Sequence, residues 1–307
     1  MEDMMDAVVR LIAETVGMSA VSVDEPMSKH TTFKIGGAAD VLIEPGSTNQ
    51  LLAVISLLKR FEIPYFVMGN GSNLLVGDKG IRGAVIKIAN SMSGCEVEGS
   101  VITAQSGIKL SRLSSTAMNN GLAGLEFASG IPGTLGGAVF MNAGAYGEEM
   151  KDVISEVTYI DTEKEKAVTI PAAECNFGYR RSIFTEMPAI VTGAVIKLKD
   201  GSIDEIKAKM NDLTKRRCDK QPLDKPSAGS TFKRPEGYFA GTLIQDCGLK
   251  GCRVGGAEVS QKHSGFIINV DNATASDVTG LIKKVQSDVF DKFGVKLETE
   301  VKFVGEF

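Results

Sequence analysis

Ser230 lies in the stretch SAGSTFKRP, Ser227 to Pro235, where glycine, flanking serines, two cations and a proline define a tight turn. A hydroxyl displayed there is a turn former, an acyl-transfer nucleophile, or something less common. Nucleophilic work needs an activating base. The chain has only His30 and His263 and no G-x-S-x-G elbow, so a Ser-His triad is weakly supported. The other chemistry-bearing features are glycine clusters. VMGNGSNLLVGDKG holds Gly69, Asn70, Gly71, Ser72 and Asn73 behind a strand-like run, an order that suits a phosphate cradle. Leu74 stands where a Rossmann fingerprint needs its third glycine, and no P-loop Lys-Ser/Thr follows. An Asn-Gly hairpin turn explains this first stretch as well. GIPGTLGGAVFMNAGAYG brings Gly130, Gly133, Gly136, Gly137, Gly144 and Gly147 close together. Backbone wrapped around an extended ligand requires such glycines, because a Cβ would collide with it; tight packing against neighbouring backbone is the alternative. Two such loops suggest a long ligand with several phosphates, such as a dinucleotide.

These loops need a scaffold. The chain has 307 residues, 43% hydrophobic and 23% charged, with a formal net charge of −4. That composition fits a globular protein with ample core and gives no support to general nucleic-acid binding. The 34 glycines are roughly 11% of the chain, against the usual ~7%. No apolar run reaches membrane-span length, and the N-terminus is acidic and periodic where a signal peptide is basic. Five cysteines without a CxxC pair suggest free thiols in a reducing cytosol, and two histidines give no His-rich metal site. Helical spacing joins Met5, Val8, Val9, Ile12 and Val16. A Ser47–Gln50 capping box opens a helix carrying Leu51, Val54, Ile55 and Leu58. With strands at DVLIEP, PYFVMG and GAVIKI, the first ~90 residues form an α/β unit. CEVEGSVITAQSG predicts a hairpin, KLSRLSSTAMNNGL a helix, and VISEVTYID, KAVTIP and AIVTGAVIKLK three strands. A second box, Ser202–Glu205, opens a helix where a domain boundary is placed. A helix with Val278, Leu281, Ile282, Val285 and Val289 in phase and a closing strand, KLETEVKFVG, follow.

The motifs TTFKIGGAADVLIEP, GNGSNLLV, GIPGTLGGAVFMNAGAYG, GYRRSIF, PSAGSTFKRP, AGTLIQDCGLKG and LETEVKFVG stand in this order. Together they resemble the UDP-N-acetylenolpyruvoylglucosamine reductase family over about residues 28 to 305. The resemblance implies an α+β fold: a two-subdomain FAD-binding domain of the vanillyl-alcohol-oxidase (PCMH) type over 1–203, with subdomains of about 1–90 and 91–203. An α+β substrate-binding domain over 204–307 follows. Its last strand, about 297–304, would carry a catalytic acid and return toward the FAD domain. The chain is short between GYRRSIF and PSAGSTF, which resembles the compact subgroup without a tyrosine-bearing lid.

The implied reaction is reduction of UDP-N-acetylglucosamine enolpyruvate to UDP-N-acetylmuramate, with NADPH as hydride donor and non-covalent FAD as cofactor, in peptidoglycan precursor synthesis. By motif match, FAD is held by Gly69, Asn70, Gly71, Ser72 and Asn73 and by Gly130, Ile131, Pro132, Gly133, Gly136, Gly137 and Gly144. The family pattern makes Arg180 the catalytic arginine, Ser230 the donor of a proton to the α-carbon, and Glu300 the acid beside the substrate carboxylate. Arg181 and Glu298 are read as surface charges. On a strand, Arg180 and Arg181 would point oppositely, and Glu298 and Glu300 would share a face. Tyr179, Lys220, Lys250 and His263 are the expected substrate-binding residues, with Tyr238 and Lys233 as weaker candidates; many relatives carry an amide where His263 stands. His30 is read as an ordinary loop residue. The expected protein is a cytoplasmic monomer. The rival readings are an alcohol or sugar-lactone oxidase on the same fold and a nucleotide-sensing module without chemistry.

Overall fold

The computed structural model describes residues 2–307, with side-chain surroundings from Met5 onward. Hydrophobic spacing decides the first helices. α1 (Glu2–Val16) sets Val8 and Ile12 one turn apart, and both are buried. α2 (Thr48–Arg60) buries Leu51, Val54, Ile55 and Leu58, the stripe its sequence carries. Its capping box is only half formed. Ser47 Oγ accepts from Gln50 N at 3.2 Å, but the Gln50 amide accepts from Gly46 N at 2.7 Å and donates to Thr15 O at 3.2 Å. That longer reach ties α2 to the end of α1. Both helices share an apolar cluster with Val41, Ile43, Ala84 and Ile86. These last four belong to a sheet of strand order Val21–Pro26, Ala38–Ile43, Ile81–Lys87, Tyr65–Met68.

A second cluster packs α3 (Leu110–Asn119) and α4 (Leu135–Phe140) with a five-stranded sheet. Its order is Lys166–Pro171, Ile154–Asp161, Ala189–Lys197, Val101–Gln105, Cys95–Glu98, antiparallel throughout. Ile160 and Ile190 leave this sheet's own core and pack into the first cluster. α5 (Ile203–Lys220) buries only Ile206 and Leu213. A third cluster joins α6 (Ala240–Asp246) and α7 (Ala275–Phe293) to Phe33, Ile35, Leu75, Leu297 and Val301. The small sheet of Arg253–Val254, Ala257–Val259 and Ile267–Asn269 belongs with it. No helix among the described residues is long and apolar enough to cross a membrane.

The chain divides into two units. One comprises the chain up to Val23, Val41–Asn70 and Ala84–Arg216; the other comprises Asp24–Asp40, Gly71–Gly83 and Arg217–Phe307. This differs from a single cut at 203/204. The boundary passes within α5, and two segments from the first hundred residues lie with the C-terminal part. Hydrogen bonds explain the assignment. Lys302–Val304 pairs in parallel with Leu74–Val76, and Thr32 Oγ1 donates to Ser227 O at 2.7 Å. The closing strand is also shorter than 297–304. Residues 231–233 bond this segment through Glu300 N→Thr231 O at 2.8 Å and Lys233 N→Glu298 O at 2.9 Å; Lys302 N then turns to Asn73 O at 2.9 Å. The segment changes partner just after Glu300, so no single ladder runs its length.

Candidate functional site

In the first unit Gly69 and Asn70 are clasped to the second glycine loop. A Cβ at Gly69 would stand 2.3 Å from Thr134 Oγ1, and Asn70 Nδ2 donates to Pro132 O at 2.9 Å. Gly136 N donates to Ser106 O at 2.8 Å, so close that a Cβ there would lie 2.8 Å from Ser106 Cβ. Gly144 pairs with Glu149 in a short hairpin, where a Cβ would meet Glu149 Cγ at 2.7 Å. At Gly69, Gly136 and Gly144 protein atoms already stand where a Cβ would be, the tight-packing alternative that the sequence left open. Gly137 is different. It is exposed, and a Cβ would meet nothing nearer than Thr134 Oγ1 at 3.8 Å. Gly130, Ile131, Pro132 and Gly133 form the bend before α4, held by Ile131 N→Ala128 O at 3.0 Å and Leu110 N→Gly133 O at 3.1 Å. The residues present fit a phosphate-bearing nucleotide such as FAD. The exposed backbone at Gly137 leaves room for an anion, and Ser106 Oγ beside Gly136 is buried without a hydrogen-bond partner among the described residues.

Arg180 is in the same unit, on a turn and not on a strand. Gly178 and Arg181 exchange N–H···O bonds of 3.0 and 3.3 Å, which leaves Tyr179 and Arg180 at the tip. Arg180 adopts φ 56, a left-handed conformation uncommon for a side chain of its size. Its guanidinium lies 5.3 Å from the centroid of the exposed Tyr179 ring. Arg180 is half-buried and Arg181 exposed, so the turn separates the two arginines that strand alternation was expected to separate. Glu149 is close by: the Lys151 ammonium, the Asn142 amide and the Arg180 charge hold its carboxyl below the usual range against the opposing effect of burial.

In the second unit, Ser230 is exposed and follows Gly229 at φ 77. Its neighbour Thr231 is fully tied down. Thr231 N donates to Gly265 O at 2.9 Å, Thr231 Oγ1 accepts from Ile267 N at 3.1 Å, and Thr231 O accepts from Glu300 N at 2.8 Å. Phe232 and Thr299 form an antiparallel bridge beside it. Two residues seventy positions apart are thereby placed on adjoining backbone. Glu300 O also accepts from Asn73 Nδ2 at 3.1 Å, so the last residue of the GNGSN loop helps to hold it. Glu298 is 74% exposed and pairs with Lys233 at 3.0 Å, an ordinary surface ion pair. Gly71, with φ 63, accepts from Thr32 N. His263 Nδ1 accepts from Gly265 N at 3.1 Å, and the ring meets Phe266 edge-on at 4.9 Å. Burial, with the nearby Lys250 charge, pulls His263 below its ordinary value. Lys220, in the last turn of α5, and Tyr238 are exposed. His30 Nε2 lies 2.9 Å from Glu25 Oε1, a paired histidine in a loop.

Sequence reasoning missed Thr134, Asn142 and Glu149. They stand inside or just after the stretch singled out for its glycines, yet nothing in their spacing distinguishes them. The only signal is that Asn tolerates positive φ, and Asn142 has φ 44.

A mixed fold with these glycine loops fits a nucleotide cofactor, and the comparisons specify the class. Residues 39–170 match the FAD binding domain family. The class is an FAD-dependent oxidoreductase of α+β fold. Residues 221–304 match the family "UDP-N-acetylenolpyruvoylglucosamine reductase, C-terminal domain". The chain is 52% identical over 303 residues to the UDP-N-acetylenolpyruvoylglucosamine reductase of Caldanaerobacter subterraneus subsp. tengcongensis, covering 99% of this chain and 100% of the relative. It is 51% identical to that of Alkaliphilus oremlandii, covering 97% of each. The crystal structure of UDP-N-acetylenolpyruvylglucosamine reductase from Thermus caldophilus superposes with a TM-score of 0.81 at 36% identity, over 92% of this chain and 99% of that one. The chain belongs to the UDP-N-acetylenolpyruvoylglucosamine reductase family.

Proposed function

We propose that the chain reduces UDP-N-acetylglucosamine enolpyruvate to UDP-N-acetylmuramate with NADPH, as a monomer in the cytoplasm, where its thiols stay reduced. Bound at the glycine loops, FAD would relay hydride from NADPH to the terminal alkene carbon of the enolpyruvyl ether. Gly69, Asn70 and the bend from Gly130 to Gly137 would hold it, together with Gly71, Ser72 and Asn73. The remaining chemistry falls to side chains. Hydride arrival leaves negative charge on the neighbouring carbon and its carboxylate. Arg180 carries a permanent positive charge and binds that carboxylate in a fork. Glu300 stands by the same carboxylate, and Ser230 passes its hydroxyl proton to the α-carbon. A hydroxyl is a weak acid, but an enolate carbon is a strong enough base to take its proton. Tyr179, Lys220, Lys250 and His263 serve the rest of the substrate, the cations taking the diphosphate.

The observation that supports this reading is the backbone bond from Glu300 N to Thr231 O, at 2.8 Å, which joins the chain at residue 300 to the residue next to Ser230. The test is spectroscopic. The purified protein is expected to be yellow, to bleach on anaerobic addition of NADPH, and to recolour on addition of the enolpyruvyl nucleotide. A protein indifferent to both additions, or one reduced by an alcohol or sugar and reoxidised only by oxygen, would exclude it.

A further inference from the structure

We propose that Glu149 is a positioning residue for Arg180, with Asn142 as the amide that locks the two into one arrangement. The inference rests on the reading of Arg180 as the ligand of the substrate carboxylate. Asn142 is fully buried and uses its whole amide. Nδ2 donates to Glu149 Oε2 at 3.0 Å and to Gly178 O at 3.1 Å, and Oδ1 accepts from Lys151 N at 3.0 Å. One side chain therefore joins the Glu149 carboxylate to the first residue of the turn that displays Arg180. A second strut holds the other side of that turn: Ser182 Oγ, also buried, donates to Phe140 O at 2.7 Å. Both struts come from the chain just after the glycine bend, so the arginine is referenced to the backbone proposed to hold the cofactor.

The carboxylate itself is built into this frame. Gly144 leaves the room that Glu149 Cγ occupies, since a Cβ would lie 2.7 Å from it. Lys151 Nζ grips Glu149 Oε2 at 2.7 Å, and Asp152 Oδ2 accepts from Glu149 N at 2.8 Å. Among the described residues, the charges that act on Glu149 are Lys151 and Arg180, while Asp152 takes its backbone N–H, and the net effect keeps Glu149 ionised. A fixed anion beside a long, flexible guanidinium narrows the conformations that the guanidinium samples. Orientation of a binding group before substrate arrives is worth rate, and a shift of about 1 Å in such a group costs on the order of 10²-fold.

The test uses holoenzyme and separates the half-reactions by anaerobic stopped flow. Glu149→Gln keeps an acceptor for Asn142 and removes the charge. It is expected to keep its flavin, its melting temperature and its rate of reduction by NADPH, while reoxidation by the enolpyruvyl nucleotide slows about 10- to 100-fold. Glu149→Asp, which keeps the charge, is expected to be slowed less. In an Arg180→Lys background, Glu149→Gln should add almost nothing, because the two residues act as one unit. Reoxidation of Glu149→Gln at the wild-type rate, or full additivity with Arg180→Lys, would overturn the inference. Should Glu149→Gln yield no holoenzyme, Glu149→Asp decides in its place: a slowing of reoxidation that vanishes in the Arg180→Lys background supports the inference, and reoxidation at the wild-type rate or full additivity with Arg180→Lys overturns it. If Arg180→Lys alone reoxidises normally, the underlying reading of Arg180 fails, a distinct outcome.

Discussion

Ser230 and Glu300 owe their proximity to Thr231, whose three backbone and side-chain bonds leave the neighbouring hydroxyl exposed on a fixed support. Ser230→Ala should leave flavin binding and reduction by NADPH intact while turnover falls by at least ~10²-fold, the usual loss on removing a general acid. The two acids of LETEV should separate just as clearly. Glu300→Gln is expected to lower turnover by roughly 10²- to 10³-fold. Glu298→Gln removes only an exposed ion pair and should leave turnover near wild type. Steady-state rates on matched holoenzymes check both. His263 offers a pH test. Burial and Lys250 depress it from the ordinary 6.5, so below that value the unfolded chain binds the proton more readily than the folded one. Stability is then full above the unfolded pKa and declines as pH falls from about 6.5 toward the depressed value. Melting temperatures measured between about pH 5 and 8 should show a shallower acid limb in His263→Asn.

The helices show what local pattern can and cannot specify. α7 was legible from its stripe, and its Thr274–Asp277 capping box and left-handed Gly294 terminate it at both ends. A further anchor comes from far away. The Asp78 carboxylate accepts from Ala275 N at 2.6 Å, Ser276 N at 2.9 Å and Ser276 Oγ at 2.7 Å. Burial works against this charge, but the hydrogen bonds from the Ser276 hydroxyl and the two amides outweigh it and hold Asp78 below its ordinary 3.8. Its contribution is present above the unfolded pKa and is lost as pH falls through the depressed value. Asp78→Ala should lower stability by about 1–2 kcal/mol, as for a lost cap. Urea titrations at neutral pH check the size, and the gap from wild type should close in acid. The GYRR segment shows the opposite limit. Its two arginines read as alternating on a strand, but Arg180 at φ 56 sits on a turn held by Asn142 and, through Ser182 Oγ, by Phe140 O, partners from about forty positions upstream.

Across the whole molecule, the C-terminal unit is assembled from three separate stretches of chain. The end of the chain does much of the joining. Gly77 N donates to Val304 O at 2.9 Å, Lys79 N to Glu306 O at 3.1 Å, and Glu306 N to Gly80 O at 2.9 Å, around the parallel pairing of Leu74–Val76 with Lys302–Val304. Truncation after Val301 should strip protection from the amides of 74–80 in hydrogen exchange and leave those of the five-stranded sheet nearly unchanged. Protection of 74–80 at the wild-type level would show that the two stretches do not depend on each other in this way.

By itself, the sequence determined the helices with apolar stripes, the turns that need glycine, the succession of motifs and, through them, the family and the FAD-dependent class. The helices and turns rest on interactions within a few residues, where periodicity and backbone preference act directly; the family and the FAD-dependent class rest on the resemblance carried by the ordered motifs. Only the tertiary structure decided that the first glycine loop clasps the second at Pro132 and Thr134, that the LETEV segment changes partner after Glu300, and that Asn142 ties Glu149 to the turn of Arg180. It also separated the two readings left open for the glycines: at Gly69, Gly136 and Gly144 the missing Cβ makes room for protein, and at Gly137 it leaves backbone exposed. These outcomes depend on which buried polar groups find partners tens to hundreds of residues away, and no local pattern in the chain records that choice.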